Sequence, residues 1–294
     1  MAHNCETQLV EDFEGVVKLY SDGSVIREPE PSWPVTLSEE NNYVKNVSYK
    51  DVVFDEEVGL WARLYLPPQT KTNTRLLPVL LYFHGGGFCF LTPANPIIHC
   101  MCQLWAAKLD VIIVSVNYRL TPEHRLPAAY HDSIAALQWL QGMKTGGAVG
   151  DPWLHSHADL SKIFLMGEKR RREHCASCGH VGVRSGNGNQ GVEVSDTLWR
   201  LALPLGSNRD HPFCNPVREG TDVTFPIPPM FFVIAGRDIL KDKQLQYCEV
   251  LKNSGRDVKV VMFEEEEHGF TLKKMDDQSC VEFLGGISEF IKGK

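Results

Sequence analysis

The sequence predicts an α/β fold in which a doubly wound, mainly parallel sheet carries helices on both faces. Three observations predict it. The runs "LPVLLYFHGGG" and "DVIIVSVNYRL" are apolar almost without interruption, the pattern of parallel strands covered on both sides. Segments of helical periodicity separate such runs, so strand and helix alternate along the chain. At 294 residues, with 43% hydrophobic and 23% charged residues, the chain can bury one large core, and residues 1–294 read as a single domain.

The elements follow in order. Residues 1–45 are acidic, carry Pro29, Pro31 and Pro34, and read as an irregular N-terminal cap segment over a core formed by residues 46–294. "LWARLYLPP" alternates like an edge or antiparallel strand, and Ile97 to Leu109 has helical length. "PAAYHDSIAALQWLQG" sets Tyr130, Ile134, Leu137 and Leu140 on one face of a helix entered through Pro127. "SKIFLMG" reads as a further buried strand, and the Gly/Asn-rich stretch Gly186 to Gly191 as a flexible turn. "PPMFFVIAGRD" and "DVKVVMFEEEEHGF" are two more strands. The helix between them buries Leu245, Cys248 and Leu251 and stops at Gly255. A last helix from Asp277 to Lys292 aligns Cys280, Leu284, Ile287 and Ile291.

Composition narrows the function. A net charge of −7 and a pI near 5.9 set up a field that repels nucleic acid and anionic membranes, so a small molecule is the expected partner. Residues 1–15 hold Glu6, Glu11, Asp12 and Glu14 and no apolar run behind basic residues, unlike a signal or transit peptide. The longest apolar runs, around Leu76 to Phe83 and Val111 to Val116, are too short to span a bilayer. The expected location is the cytoplasm, with the nucleus left open. Nine cysteines without the density of a disulfide scaffold suggest reduced thiols. Asn46-Val47-Ser48 reads as loop rather than as a glycosylation site.

The chemistry sits at strand ends. "HGGGF", His84 to Phe88, follows a buried strand, where such a sheet presents its ligands; Gly85, Gly86 and Gly87 let amide N–H groups converge on a developing oxyanion. "GRDIL" ends a later strand with Asp238, and "EHGF" places His268 after the next. A carboxylate followed by a histidine, each on a strand-end loop, suits an Asp that orients a His general base. Asp242 is the rival carboxylate, and Asp238 has the bland alternative of capping the next helix.

The chain resembles the plant carboxylesterases, the branch of the α/β-hydrolases that groups with hormone-sensitive lipase and contains the gibberellin receptors. The resemblance runs nearly end to end, through "DFEGVVKLYSDGSVIR", "HGGGF", "NYRLTPEHRLPAAYHD", "LWRLALPLGSNRDHPFCNP", "GRDILKDKQLQY" and the closing "HGF". It implies an α/β-hydrolase fold and a Ser–His–Asp hydrolase of small carboxylic esters without metal or cofactor. Asp238 would be the acid and His268 the base, with Gly85, Gly86 and Gly87 in the oxyanion hole.

The nucleophile is missing from this pattern. The family has Gly-Asp/Glu-Ser-Ala/Ser-Gly-Gly-Asn after the strand that here reads "KIFLMG"; this chain has Gly167, Glu168 and then Lys169. No serine sits in a G-x-S-x-G frame, and Ser177 lacks both flanking glycines. One allowed back-translation of "KRRREHCASCGH", shifted by a single base, reads Ser-Ala-Gly-Gly-Asn-Ile-Ala-His-His-Val-Gly. A frame slip over residues 169 to about 180 therefore accounts for the loss. The competing readings are a basic patch at Lys169 to Arg172 and a zinc site from Cys175, Cys178, His174 and His180, which has no second ligand pair. Nothing between Gly179 and Val194 supplies the apolar inner strand the family places there. The expectation is an esterase scaffold disrupted around residues 169–193, lacking one inner strand and inactive as written. The alternatives are a non-catalytic binder of a hormone-like ligand and a frame-shifted product without a function.

Overall fold

The computed structural model describes residues 7–28, 46–68, 75–144, 150–167, 189–216, 229–273, 275 and 277–293. The N-terminal part is not irregular. Strands β1 (Leu9–Phe13), β2 (Val17–Tyr20) and β3 (Val25–Arg27) form an antiparallel sheet, with Phe13 and Val17 buried to 1% and 0% exposure. Their prolines lie outside the described residues; what the proline-based reading missed is the apolar group Phe13, Val16 and Val17 within "FEGVVKLY", all three buried.

Strands β4 (Ser48–Asp55) and β5 (Leu60–Leu66) form a hairpin, closed at Gly59 with φ +75°. β6 (Leu77–Phe83) leads into helix α1 (Pro96–Leu109), then β7 (Ile112–Asn117), α2 (Ala128–Lys144), α3 (Pro152–His157) and β8 (Ala158–Gly167). These strands make a five-stranded sheet in the order β4-β5-β7-β6-β8. β6 is parallel to both β7 and β8, whereas β5 runs antiparallel to β4 and β7, an interior place rather than an edge. Helix α4 (Asn189–Ala202) precedes a second, two-stranded parallel sheet of β9 (Met230–Ala235) and β10 (Val258–Phe263), linked by α5 (Lys241–Asn253) and followed by α6 (Phe270–Lys273) and α7 (Gln278–Lys292).

Because successive side chains of a strand point to opposite faces, the continuous apolar run of β6 serves two cores. Leu80 and Tyr82 pack with α1, α7 and the N-terminal sheet; Val79 and Leu81 pack with α2 and α3. β8 is less covered than the run "SKIFLMG" suggests, and Leu165 is half exposed. Phe290 of α7 touches Phe164 of β8 and Phe231 of β9, with ring centroids 6.4 and 5.5 Å away, so one helix underlies both sheets.

Local signals set the helix boundaries. Asn95 caps α1 by accepting from the Ile97 N–H at 3.0 Å, with Pro96 at the first helical position. In α7 the expected stripe holds, with Cys280, Leu284, Ile287 and Ile291 buried. In α2 it shifts: Ala129, Asp132, Ala136, Leu140 and Met143 face inward, and Ile134 is 53% exposed. Leu245 of α5 is only partly buried, while Cys248 and Leu251 are inside. The turn expected over Gly186 to Gly191 is in part helix, since α4 already runs from Asn189.

The inward turn of α2 serves an ion pair. Asp132, 1% exposed, accepts from the Arg119 backbone N–H at 2.8 Å and from its guanidinium at 2.6 Å, which ties the loop after β7 to α2. Asp132→Ala is expected to destabilise the protein by about 2–3 kcal/mol in urea unfolding, less than a fully buried pair because water reaches Arg119.

Candidate active site

The glycine loop leaves the end of β6. His84 is 3% exposed and its ring stacks on Tyr118, centroids 4.3 Å apart. Nδ1 lies 2.8 Å from the Gly85 carbonyl, which only accepts, so the proton sits on Nδ1; the Tyr118 hydroxyl in turn donates to the His84 carbonyl at 2.7 Å. Desolvation lowers the His84 pKa from 6.5 to about 4, so the ring is neutral at neutral pH. Gly86 and Gly87 have φ of +108° and +59°. A Cβ on Gly86 would stand 2.1 Å from the Phe90 carbonyl oxygen, and one on Gly87 would meet Leu198 of α4 at 2.7 Å, so the loop admits only glycine at both places. The loop closes on itself through Cys89 N–H to the Gly86 carbonyl at 3.0 Å. Among the described residues, the amide N–H groups of Gly85, Gly86 and Gly87 donate to nothing, and so remain available to an anion.

The second half of the site hangs on the parallel pair β9 and β10. Past the strand ends, Gly236 N–H donates to the Phe263 carbonyl at 2.8 Å and Arg237 N–H to the Glu266 carbonyl at 2.9 Å. Gly236 is required for this approach, since a Cβ there would lie 2.3 Å from the Glu264 carbonyl oxygen. Ser279 of α7 donates to the Glu266 carboxylate at 2.6 Å and holds the second loop from below. These ties bring Asp238 and His268 together: Nδ1–H donates to Oδ2 at 2.5 Å, with side chains 4% and 3% exposed. The other oxygen, Oδ1, accepts from the Leu240 N–H at 2.9 Å and closes a turn ahead of α5; the N-cap of that helix is Leu240, so Asp238 does not cap it. Asp242 is exposed in the first turn of α5, away from this pair. The His268 Nε2 is buried and meets no partner among the described residues. With Nδ1 protonated toward Asp238, Nε2 carries a lone pair and can take a proton from a hydroxyl placed before it.

The pattern of the family described as "alpha/beta hydrolase fold" matches residues 80–169 and 187–272, more than half of the chain. The chain belongs to the α/β-hydrolase family. Within it, the chain falls among the plant carboxylesterases. It is similar to tuliposide A-converting enzyme 2 of Tulipa gesneriana, 35% identical over 84% of this chain and 71% of that protein. It is also similar to probable carboxylesterase 1 of Arabidopsis thaliana, 32% identical over 98% of each. Among solved structures it superposes on an esterase of Pyrobaculum calidifontis with a TM-score of 0.62 and 21% identity, covering 84% of this chain and 85% of that one.

In this α/β-hydrolase, a cleft of about 330 Å³ opens beside the loop that carries Asp238, lined among others by Trp199, Cys214, Leu240, Gln244 and Tyr247. Trp199 also meets Phe88 of the glycine loop at 6.4 Å between centroids, but Gly85, Gly86, Gly87, Asp238 and His268 are not among the residues that line the cleft. The position of Lys169, the basic run to Arg172, Ser177 and the cysteines and histidines of "HCASCGH" lie outside the described residues. Among the described residues, no group of three or more His, Cys, Asp or Glu is placed to hold a metal ion, and no helix is long and apolar enough to cross a membrane. Sequence reasoning passed over Tyr118 and Arg27 as supports of the glycine loop. Tyr118 lies inside "NYRLTPEH", but no local pattern says that its hydroxyl turns back on His84.

His84 makes stability depend on pH. Its folded pKa of about 4 lies below the ordinary 6.5, so the unfolded chain binds the proton first, and stability is lost as pH falls from 6.5 to 4, by on the order of 3 kcal/mol in all. His84→Asn, which keeps a donor toward the Gly85 carbonyl, is expected to flatten that slope in denaturant titrations at pH 7, 5.5 and 4.5.

Proposed function

We propose that this chain carries the proton shuttle and anion cradle of a carboxylesterase for small carboxylic esters and lacks the hydroxyl that attacks. The observation that carries the reading is the buried Asp238 to His268 hydrogen bond, with Nε2 left facing no described partner. In the complete machine, a serine on the turn after β8 would give its proton to Nε2 while Oγ attacks the ester carbonyl carbon. Asp238 stabilises the imidazolium, and the amides of Gly85, Gly86 and Gly87 receive the oxyanion. Collapse expels the alcohol with the proton from Nε2. Water, deprotonated by the same nitrogen, then releases the acid and returns the serine. This chain reads Gly167-Glu168-Lys169 at that turn, and loss of a triad nucleophile lowers turnover by about a millionfold.

The proposed origin is a single-base slip over residues 169 to about 180, together with loss of an inner strand between β8 and β9. Two observations support the lost strand. Among the described residues, β8 pairs only with β6 and β9 only with β10, and Phe290 lies under both strands. Each backbone group left unpaired in a dry interior costs on the order of 1–3 kcal/mol, against about 5–15 kcal/mol for the net stability of a domain. A second reading, a non-catalytic binder of a small hormone-like ligand, is favoured by the cleft beside Leu240 and Trp199.

A fluorophosphonate probe, which bonds to an activated serine, tests the proposal. The expected result is no labelling, and p-nitrophenyl acetate turnover no higher than that of His268→Ala. A chain with the family's serine turn and inner strand restored should recover both signals. Labelling of the unaltered chain overturns the proposal, and an unslipped reading frame in the transcript over codons 165 to 195 overturns its proposed origin.

A further inference from the structure

The N-terminal sheet does more than cover apolar surface. Its last strand ends on Arg27, whose guanidinium reaches three pieces of backbone and side chain. Nε donates to the Cys89 carbonyl at 2.9 Å, Nη2 donates to the Thr121 carbonyl at 2.8 Å, and both terminal nitrogens grip the Glu123 carboxylate, Nη2 at 2.6 Å. Cys89 belongs to the glycine loop, and Thr121 and Glu123 to the loop after β7. The two loops are also joined directly: Thr121 N–H donates to the Phe88 carbonyl at 2.9 Å, and the Cys89 Sγ lies 2.9 Å from the Thr121 hydroxyl. Arg27 thus closes a ring of polar contacts around a segment in which two non-glycine residues, Phe88 and Leu91, have positive φ of +66° and +71°. A backbone of that kind persists only where its surroundings over-determine it.

Two further contacts run from the same sheet to the same place. Phe13 stacks on Phe90, centroids 5.7 Å apart at 23°. Glu11 accepts from the Arg200 Nε at 2.6 Å, which fastens α4, the helix whose Leu198 covers Gly87. We infer that Arg27 is the positioning residue of the glycine loop: it sets the aim of the loop's free amides, and without it the loop relaxes from the geometry in which they can meet one anion. A planar fork of five donors suits three separate acceptors, whereas a lysine ammonium on a flexible stem cannot hold all three. The inference rests on the loop being an anion cradle and is independent of whether a nucleophile is present.

The protein carries its own reporter. Cys89 is fully buried and its thiol is pushed up to about 12 by burial, so it is inert while the loop is closed. Cys102 on α1 and Cys280 on α7, both fully buried, become reachable only when the core opens. Iodoacetamide labelling of the full chain at pH 8, resolved by residue with peptide mass spectrometry, compares the three. Arg27→Met and Arg27→Lys are expected to raise the Cys89 rate at least tenfold with Cys102 and Cys280 unchanged, together with faster amide exchange over residues 85–90. Glu123→Gln, which leaves the two carbonyl contacts, should give a smaller rise. An unchanged Cys89 rate in the two Arg27 variants overturns the inference. So does a common rise of all three cysteines, which would make Arg27 a general stabiliser, or full protection by lysine, which would make charge alone sufficient. Failure of the esterase reading would appear in probe labelling and leave these rates untouched.

Discussion

Two backbone hydrogen bonds between the loops that follow β9 and β10, from Gly236 to Phe263 and from Arg237 to Glu266, are the constraint on which the site depends. They can form only because the strands are parallel and in register, Ala235 opposite Phe263, so that both chains leave the sheet at the same end. Residues thirty positions apart in sequence are thereby delivered side by side in a dry environment. Burial on both partners makes the hydrogen bond orienting as well as attractive: with water excluded, the imidazole has one acceptor for Nδ1–H, and that fixes which nitrogen is free to take up a proton.

The glycine loop obeys a different constraint. Its backbone has positive φ at two non-glycine positions, Phe88 and Leu91, and no single element holds it. Tyr118 fastens the entry, α4 covers the middle through Leu198, and the N-terminal sheet holds the exit through Arg27 and Phe13. Each support comes from a distant part of the chain, so the shape of the loop is a property of the assembled fold rather than of the short glycine motif. The same holds for α7, which lies under both sheets and supports the histidine loop through Ser279 and Glu266.

Much of this was legible in the sequence where a local rule governs it. The runs of β6 and β7 show as strands buried on both faces because Ser115 alone among their inner positions is a small polar residue, and the stripe of α7 shows because its outer positions, Val281 apart, are mostly charged, polar or small. The reading failed where tertiary contacts override periodicity. Ile134 sits on the predicted inner face of α2 but is exposed, because the helix turns to bring Asp132 to Arg119, and the helix face follows the ion pair. Leu165 lies in an apolar run yet is half exposed, since coverage of β8 depends on neighbours its own sequence does not name. The N-terminal segment hid its sheet because its strands are short and sit among acidic residues.

The sequence by itself determined the order of strands and helices, the placement of the glycine triplet, Asp238 and His268 at strand ends, and the family, because period, spacing and motif are local or linear properties. Only the tertiary structure decided that Asp238 rather than Asp242 meets the histidine, that Nε2 is the nitrogen left without a described partner, and that Arg27 reaches the glycine loop. These are contacts between residues far apart along the chain, and which of them form is set by how the sheets twist and stack, which no window of sequence contains.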